Sequence, residues 1–343
     1  MQEKILQNFR DEQVLSSSQI HQKLIHDQVS LVTVKRSLTE LVNQGMLEKQ
    51  GAGRSVVYRI SPRGLFLKPF AAQSYLAKEP DVRDGKTRFS FGIFDRLDFD
   101  FFTKQEIQVL DQETQKFQTI GNGSSETIFK REMERFIIEM SWKSSKIEGN
   151  TYTLLDTELF IKEGIKSSKN SESETIMILN HKRALEFIFS DKGLWRDISL
   201  TKIEMLHVLL IQDLGISKNL RKRPVGVTGT TYKPLDNEPQ IKEAMQSLIV
   251  SISGKSNPFE KVLLAIIGIS YIQPFEDGNK RTGRLLGNAI LLVHHLAPLS
   301  YRSVDGAGYR EAMSVFYEQN SIEPFKQIFI EQYLFACENY NIG

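Results

Sequence analysis

Cysteine is almost missing from these 343 residues, with Cys337 the single one. That excludes an intrachain disulfide framework and fits a reducing compartment. Cys337 ends the apolar run Tyr333-Leu334-Phe335-Ala336-Cys337, where a buried structural thiol is expected. Long hydrophobic runs are missing too, since none approaches the roughly 18 residues that a membrane span needs. The opening Met1-Gln2-Glu3-Lys4-Ile5 has no basic segment leading into an apolar run, so it does not read as a secretory signal. Cytoplasm, with no membrane partner, is the expectation. A charge of one sign is lacking as well: 44 Lys and Arg stand against 42 Asp and Glu, for a net +2. A chain that simply coats nucleic acid is usually more basic. What is present is an ordinary globular balance, 40% hydrophobic and 25% charged, on a length that suits two domains.

The serines at 16–18 offer an N-cap, with Ser18 the expected one, to a short helix carrying Ile20, Leu24 and Ile25. Ser30 caps a clearer helix whose apolar positions are Val34, Leu38, Leu41 and Val42, ended by Gly45. Thr33, Lys35, Arg36 and Thr39 then fall on the wet side. Residues 46–49 and 55–60 read as short strands around the basic glycine turn Gly51-Ala52-Gly53-Arg54. Helix, turn, helix and basic hairpin is the order of a winged helix. Its second helix can enter a major groove while the hairpin touches phosphates. Residues 1–70 hold ten Lys or Arg against six Asp or Glu, a local +4. The runs Thr33-Val34-Lys35-Arg36-Ser37-Leu38-Thr39-Glu40-Leu41 and Gly53-Arg54-Ser55-Val56-Val57-Tyr58 resemble bacterial winged-helix regulators. The resemblance implies double-stranded DNA as a partner, through Thr33, Lys35, Arg36, Thr39 and Arg54. The same fold also serves as a protein–protein or dimerisation module, which leaves a homodimer open.

Residues 71–122 read as a connecting segment, punctuated at 80–85 and aromatic at 91–102, whose rings pack on one of the two domains. From about residue 123 the pattern is helical, with helices expected over 128–147, 175–189, 202–213, 241–251, 258–272, 281–296 and 308–337, the last broken near Pro324. The informative stretch is Gln273-Pro274-Phe275-Glu276-Asp277-Gly278-Asn279-Lys280-Arg281-Thr282-Gly283-Arg284. An apolar helix ends, Pro274 marks the break, Gly278 and Asn279 allow a tight turn, and a helix resumes. A turn feeding a helix start aims several backbone N–H groups at one point, an anion site. Lys280, Arg281 and Arg284 add cations, and Asp277 can hold Mg²⁺. The alternative is a solvent-facing helix cap with ordinary salt bridges.

This stretch resembles the signature of the Fic family, His-Pro-Phe-x-Asp/Glu-Gly-Asn-Gly/Lys-Arg-x-x-Arg, whose members typically transfer AMP from ATP to a hydroxyl of a target protein. The resemblance implies ATP and Mg²⁺ as cofactors and an unknown target protein as partner. It places the metal on Asp277 and the phosphates on Gly278, Asn279, Lys280, Arg281 and Arg284. It also makes Val225, Val227, Thr228, Gly229 and Thr230 a flap, an expected small hairpin whose edge pairs with an extended target. Ser144-Ser145-Lys146-Ile147-Glu148-Gly149 resembles the family's inhibitory motif, carried by Ser144, Glu148 and Gly149, in which the glutamate pairs with Arg284 and blocks the γ-phosphate position. The expected fold is mainly α: a Fic-type helical domain over 123–300 with a β-hairpin flap, a helical extension over 301–343, and an N-terminal α/β winged helix over 1–70.

The sequence departs from the commonest form of the signature at two positions, Gln273 and Lys280, and Gln273 stands where the family has its catalytic histidine. An amide has no useful proton affinity near neutral pH, so it cannot serve as a general base. That loss typically removes roughly 10²–10⁴-fold in rate. Four readings follow. The chain is a Fic-type ATP-binding protein with weak, altered or absent AMP transfer, held in check by Glu148. Or it is a non-catalytic, nucleotide-sensing DNA-binding regulator. Or it is an active transferase in which the target or a bound water supplies the proton acceptor. Or, because Lys280 replaces the commoner glycine, it transfers a phosphoryl group. His181, His207, His294 and His295 read as packed or helix-face residues, without metal-ligand spacing.

Overall fold

The computed structural model describes residues 1–11, 13–122 and 125–342. The side chain of Arg54, expected on a DNA phosphate, lies outside the described residues, as does that of Asn122.

The first element, α1 (Gln2–Gln7), leads into β1 (Val14–Ser16), α2 (Ser17–Lys23), α3 (Leu31–Asn43), β2 (Leu47–Gln50) and β3 (Val57–Ile60). The three strands form an antiparallel sheet in the order β1-β3-β2, with Leu15 opposite Tyr58 and Leu47 opposite Ile60. One core gathers Ile5, Ile20, Val34, Leu38, Leu41, Leu47 and Ile60. The cap of α2 is Ser16 rather than Ser18. β1 delivers Ser16 in an extended conformation, so its hydroxyl accepts from Gln19 N–H while the Gln19 side chain accepts from Ser16 N–H. Ser17 and Ser18 therefore fall inside the first turn. Ser30 caps α3 as expected.

The polypeptide leaves this unit through α4 (Pro62–Leu67), whose Phe66 already belongs to a second, larger core. After α5 (Ala72–Leu76), the aromatic stretch sinks Phe89, Phe94, Leu97, Phe101 and Phe102 into that same core, and α6 (Lys104–Asn122) adds Leu110 and Phe117. Burial of this kind stabilises by about 1.5–3 kcal/mol per large side chain. The segment is thus a structural layer of the helical body.

That body comprises α7 (Glu126–Ile147), α8 (Leu154–Glu163), α9 (Glu172–Ser190), α10 (Leu200–Ile211), α11 (Glu238–Gly254), α12 (Pro258–Ile272), α13 (Asn279–Val293), α14 (Gly306–Gln319) and α15 (Glu323–Asn339). α12 is the central helix, buried on every side from Val262 to Ile272. α13 lies so close to it that a Cβ at Gly283 would stand 3.1 Å from the Ile266 carbonyl oxygen. The break near Pro324 is real: Asn320 ends α14 in a left-handed conformation and Pro324 sits in the first turn of α15.

The expected flap hairpin is not formed. Residues 225–229 belong to no strand, and the sheet of the described residues lies wholly in the N-terminal unit. The flap is an irregular span turning at Gly229, φ +81°. It is held from the side by residues of the connecting segment: Arg83 Nη1 donates to Gly229 O at 3.0 Å, and Lys233 N–H to Thr87 O at 2.9 Å. Those side contacts take the place of a second hairpin strand. No described helix is long and apolar enough to cross a membrane.

Candidate active site

Between α12 and α13 the polypeptide leaves the helix for six residues. Gln273 closes α12 in a left-handed conformation (φ +52°) and Gly278 opens α13 in another (φ +82°). Asn279 ties the bend together: its Oδ1 accepts from Phe275 N–H at 2.9 Å, and its Nδ2 donates to Phe275 O and to Gln273 Oε1, both at 2.9 Å. His207 of α10 supports the outside of the bend, its ring stacked on Phe275 at 3.7 Å and 5°, with Nε2 3.0 Å from Asp277 O. Burial pushes the His207 imidazole down to about 4, so it is neutral at pH 7. Arg221 holds the other side, donating from Nε to Gln273 O at 2.5 Å and from its backbone N–H to Pro274 O at 3.0 Å.

The bend opens on a cleft of about 620 Å³, ample for a nucleotide. The loop from Gln273 and Glu276 through Arg281 lines one wall; Val225, Val227, Thr228 and Gly229 of the flap line another, and Glu148 faces both. Thr230 lies outside the lining. Arg281 is 1% exposed, and among the described residues only its Nη2 has a partner, Asp277 Oδ2 at 3.0 Å. Its Nε and Nη1 are buried with no hydrogen-bond partner among those residues. A guanidinium left this way costs several kcal/mol unless an anion completes it. Burial lowers its pKa, opposed by Asp277 and Glu148.

Arg284 is fully buried behind Glu148. Its Nη1 donates to Glu148 Oε1 at 2.8 Å, its Nε to Ser144 Oγ at 2.9 Å and its Nη2 to Ser144 O at 2.8 Å. Glu148 Oε2 also accepts from Lys280 Nζ at 3.1 Å. One carboxylate thus spans two of the cations expected to hold phosphate. Burial would raise the Glu148 pKa, but the charges of Arg284 and Lys280 outweigh it and hold the carboxyl below its ordinary range. Glu148 caps the end of α7, and Gly149, at φ +99°, turns the backbone away. Ser144 Oγ is also 2.8 Å from His181 Nε2, and burial, then Arg281 and Arg284, push that imidazole well below its ordinary value.

Gln273 is the departure that geometry makes sharper. Its Nε2 donates to Ser270 O at 2.6 Å and its Oε1 accepts from Asn279, so both ends of the amide are engaged inside the bend. Asp277 keeps a 62% exposed carboxylate at the cleft edge. Among the described residues no cluster of three or more His, Cys, Asp or Glu could cage a metal, so Asp277 offers a single carboxylate. That fits Mg²⁺, which is usually bound by one or two carboxylates with substrate phosphates completing the shell.

The linear pattern missed His181, His207 and Arg221. No spacing marks the two histidines, and only the run Arg221-Lys222-Arg223-Pro224 ahead of the flap hinted at the arginine.

Residues 197–291 match the model of the Fic/DOC family, and residues 1–62 that of the penicillinase repressor. Over those residues the chain is similar to the Fic/DOC domain. The matched stretch contains the whole bend and the flap, whereas Ser144 and Glu148 reach it from α7, outside the match. The chain is 26% identical over 253 residues to the protein adenylyltransferase Fic of Nematostella vectensis, covering 70% of this chain and 58% of that protein. It thus spans little more than half of that relative's length. Its fold is shared with a Fic domain containing signaling protein from Bacteroides thetaiotaomicron (TM-score 0.58, 24% identity, 67% of this chain and 94% of that one). It is shared equally with a fragment of Fic-1 from C. elegans (TM-score 0.58, 21% identity, 69% and 72%).

Proposed function

We propose that the cleft binds ATP, with its phosphates on Gly278, Asn279, Lys280, Arg281 and Arg284, and that the protein is a latched, weak adenylyltransferase toward a hydroxyl of a target protein. The observation that carries this reading is the Arg281 guanidinium, buried at the cleft with two N–H-bearing nitrogens unpartnered. A phosphate oxygen is the anion that completes it. Asp277 would hold Mg²⁺, which when bound neutralises phosphate charge. In the transfer, the target hydroxyl oxygen bonds to the α-phosphorus, the bond from that phosphorus to the β-bridging oxygen breaks, and pyrophosphate leaves. The hydroxyl proton finds no acceptor on Gln273 and passes to a phosphate oxygen or to water. Glu148 must first leave Lys280 and Arg284, since the outer phosphates claim the same donors. The buried Cys337 suits a reducing, cytoplasmic setting.

The engaged Gln273 amide favours a second reading, in which the Fic domain senses nucleotide without chemistry and the N-terminal unit binds double-stranded DNA, as a homodimer on paired half-sites. Thr33, Lys35, Arg36 and Thr39 are all exposed on one side of α3, and among the described residues Arg36 pairs only with Glu40, at 3.1 Å. Parallel labelling with α- and γ-labelled ATP separates the readings. Transfer of the α-label supports adenylylation, transfer of the γ-label alone supports phosphoryl transfer, and neither, with ATP still bound, supports a sensor.

A further inference from the structure

A second cavity, of about 360 Å³, lies away from the phosphate loop, at the seam between the two cores. Its walls come from both sides: Arg59 and Leu65 from β3 and α4, Phe91, Ile93 and Arg96 from the aromatic connecting stretch. Arg96 is exposed and has no ion pair among the described residues. Arg59 pairs with Glu48 at 2.7 Å, and the one acid on the wall, Asp11, is matched by Lys86 at 2.6 Å. On the cavity wall, Arg96 therefore offers a guanidinium with no ion pair among the described residues, while Arg59 and Asp11 are each paired. Guanidinium groups favour planar oxyanions, which they bind with paired hydrogen bonds. On the rim Phe91 is 59% exposed, whereas Phe66, the other phenyl ring of the lining, is 2% exposed.

The seam is also wired to the cleft. Phe91 packs edge-on against Phe89 at 5.4 Å, Phe89 stacks on Tyr271 at 4.9 Å and 29°, and Ser90 N–H donates to Tyr271 OH at 2.9 Å. Tyr271 lies two residues before Gln273, and its carbonyl accepts from Tyr232 OH at 2.8 Å, at the foot of the flap. Anything that seats against Phe91 leans on the backbone that frames both walls of the cleft.

We propose that this seam cavity is an effector site for a small molecule bearing one oxyanion group and one planar apolar ring. The oxyanion meets Arg96 with Arg59 behind it, and the ring lies on Phe91 beside Ile93 and Leu65. Domain junctions are where such pockets concentrate. The ring relay through Phe89 and Tyr271 carries occupancy to the nucleotide cleft.

The test is calorimetric titration of the full chain, without nucleotide, with 3-phenylpropionate and with phenyl phosphate, and with neutral 3-phenylpropanamide as control. Because no ATP is present, the outcome is independent of the nucleotide reading. Expected is saturable one-to-one binding of at least one oxyanion, weakened about tenfold in the amide, in Arg96→Gln and in Phe91→Ala, as befits loss of one charged or stacking contact. Both substitutions are at exposed side chains, and unchanged melting temperatures will show that the variants fold. Preference between the two probes tells a carboxylate from a phosphate ligand. Absence of saturable binding by both oxyanions, or binding untouched by both substitutions, overturns the site.

Discussion

Glu148 does two jobs with one carboxylate. Its oxygens are divided between Arg284 Nη1 and Lys280 Nζ, whereas Arg284 keeps Ser144 as a partner through two further nitrogens. Removing Glu148 therefore frees the cleft-facing Nη1 of Arg284 without letting the guanidinium swing. Glu148→Gly is expected to raise ATP affinity about tenfold or more in calorimetry, the effect of no longer displacing a charged hydrogen bond. Unchanged affinity would show that the latch and the phosphates do not compete. Gln273 presents the opposite case, a residue whose replacement should add chemistry. Its backbone sits at φ +52°, a conformation in which histidine is among the better-tolerated residues. Gln273→His in a Glu148→Gly background should raise α-label transfer by roughly 10²–10⁴-fold. No gain there would mean that the bend cannot present a base to the hydroxyl, and the sensor reading would stand.

At the scale of elements, the stretch from α5 to residue 90 works as a strap across the flap. Arg83 links Gly229 O to Glu318 on α14, and Glu318 also accepts from Tyr75 OH at 2.7 Å. The Glu318 side chain is wholly buried and that of Arg83 only 7% exposed. Arg83→Ala strands a buried carboxylate, a change that costs about 3–5 kcal/mol. Urea unfolding should show that loss, and Arg83→Ala combined with Glu318→Gln should recover a good part of it. If the single variant unfolds like the parent, the strap does not hold the flap. None of this was legible beforehand. Residues 71–122 read as a connector because their aromatic positions follow no helical or strand period, and the rings that fix Phe89 and Phe102 on the helical body, Tyr271 and Phe259, lie more than a hundred residues away. The absence of the expected flap hairpin has the same cause: alternating Val225 and Val227 suit a strand, but only long-range contacts decide whether a second strand exists. Elements with local causes came through, among them α3 behind Ser30, the wing around its glycine turn, and the break between α12 and α13 at Pro274. Even there Ser16 displaced Ser18 as a cap, since a strand not foreseen at Val14–Ser16 set its backbone.

Across the whole molecule, the two cores differ in what acid should do to them. Among the described residues the smaller one, around Ile20 and Leu38, buries no histidine, whereas the larger one encloses His181 and His207 completely. Both read as ordinary packed residues in the sequence, because a histidine's burial depends on what other helices bring to it. Burial holds both imidazoles neutral, with folded pKa values below the unfolded 6.5, near 4 for His207. The unfolded chain therefore binds protons that the folded chain refuses, so stability is complete above about pH 6.5 and falls as pH drops toward the folded values. For His207 alone the fall from pH 7 to pH 5 amounts to up to about 2 kcal/mol. Glu148 works in a lower window: its depressed pKa adds stability that is present above the ordinary 4.5 and is lost as pH falls through the folded value. Between pH 7 and 5 the histidines thus dominate. Urea midpoints followed by probes in each core should show the helical body weakening first while the N-terminal unit holds. His207→Phe, which can keep a ring on Phe275, should take away that histidine's share of the fall. A parent and a variant that weaken equally between these pH values would mean that His207 already carries its proton in the folded protein. The neutral ring under the bend between α12 and α13 would then have to be replaced by a cation.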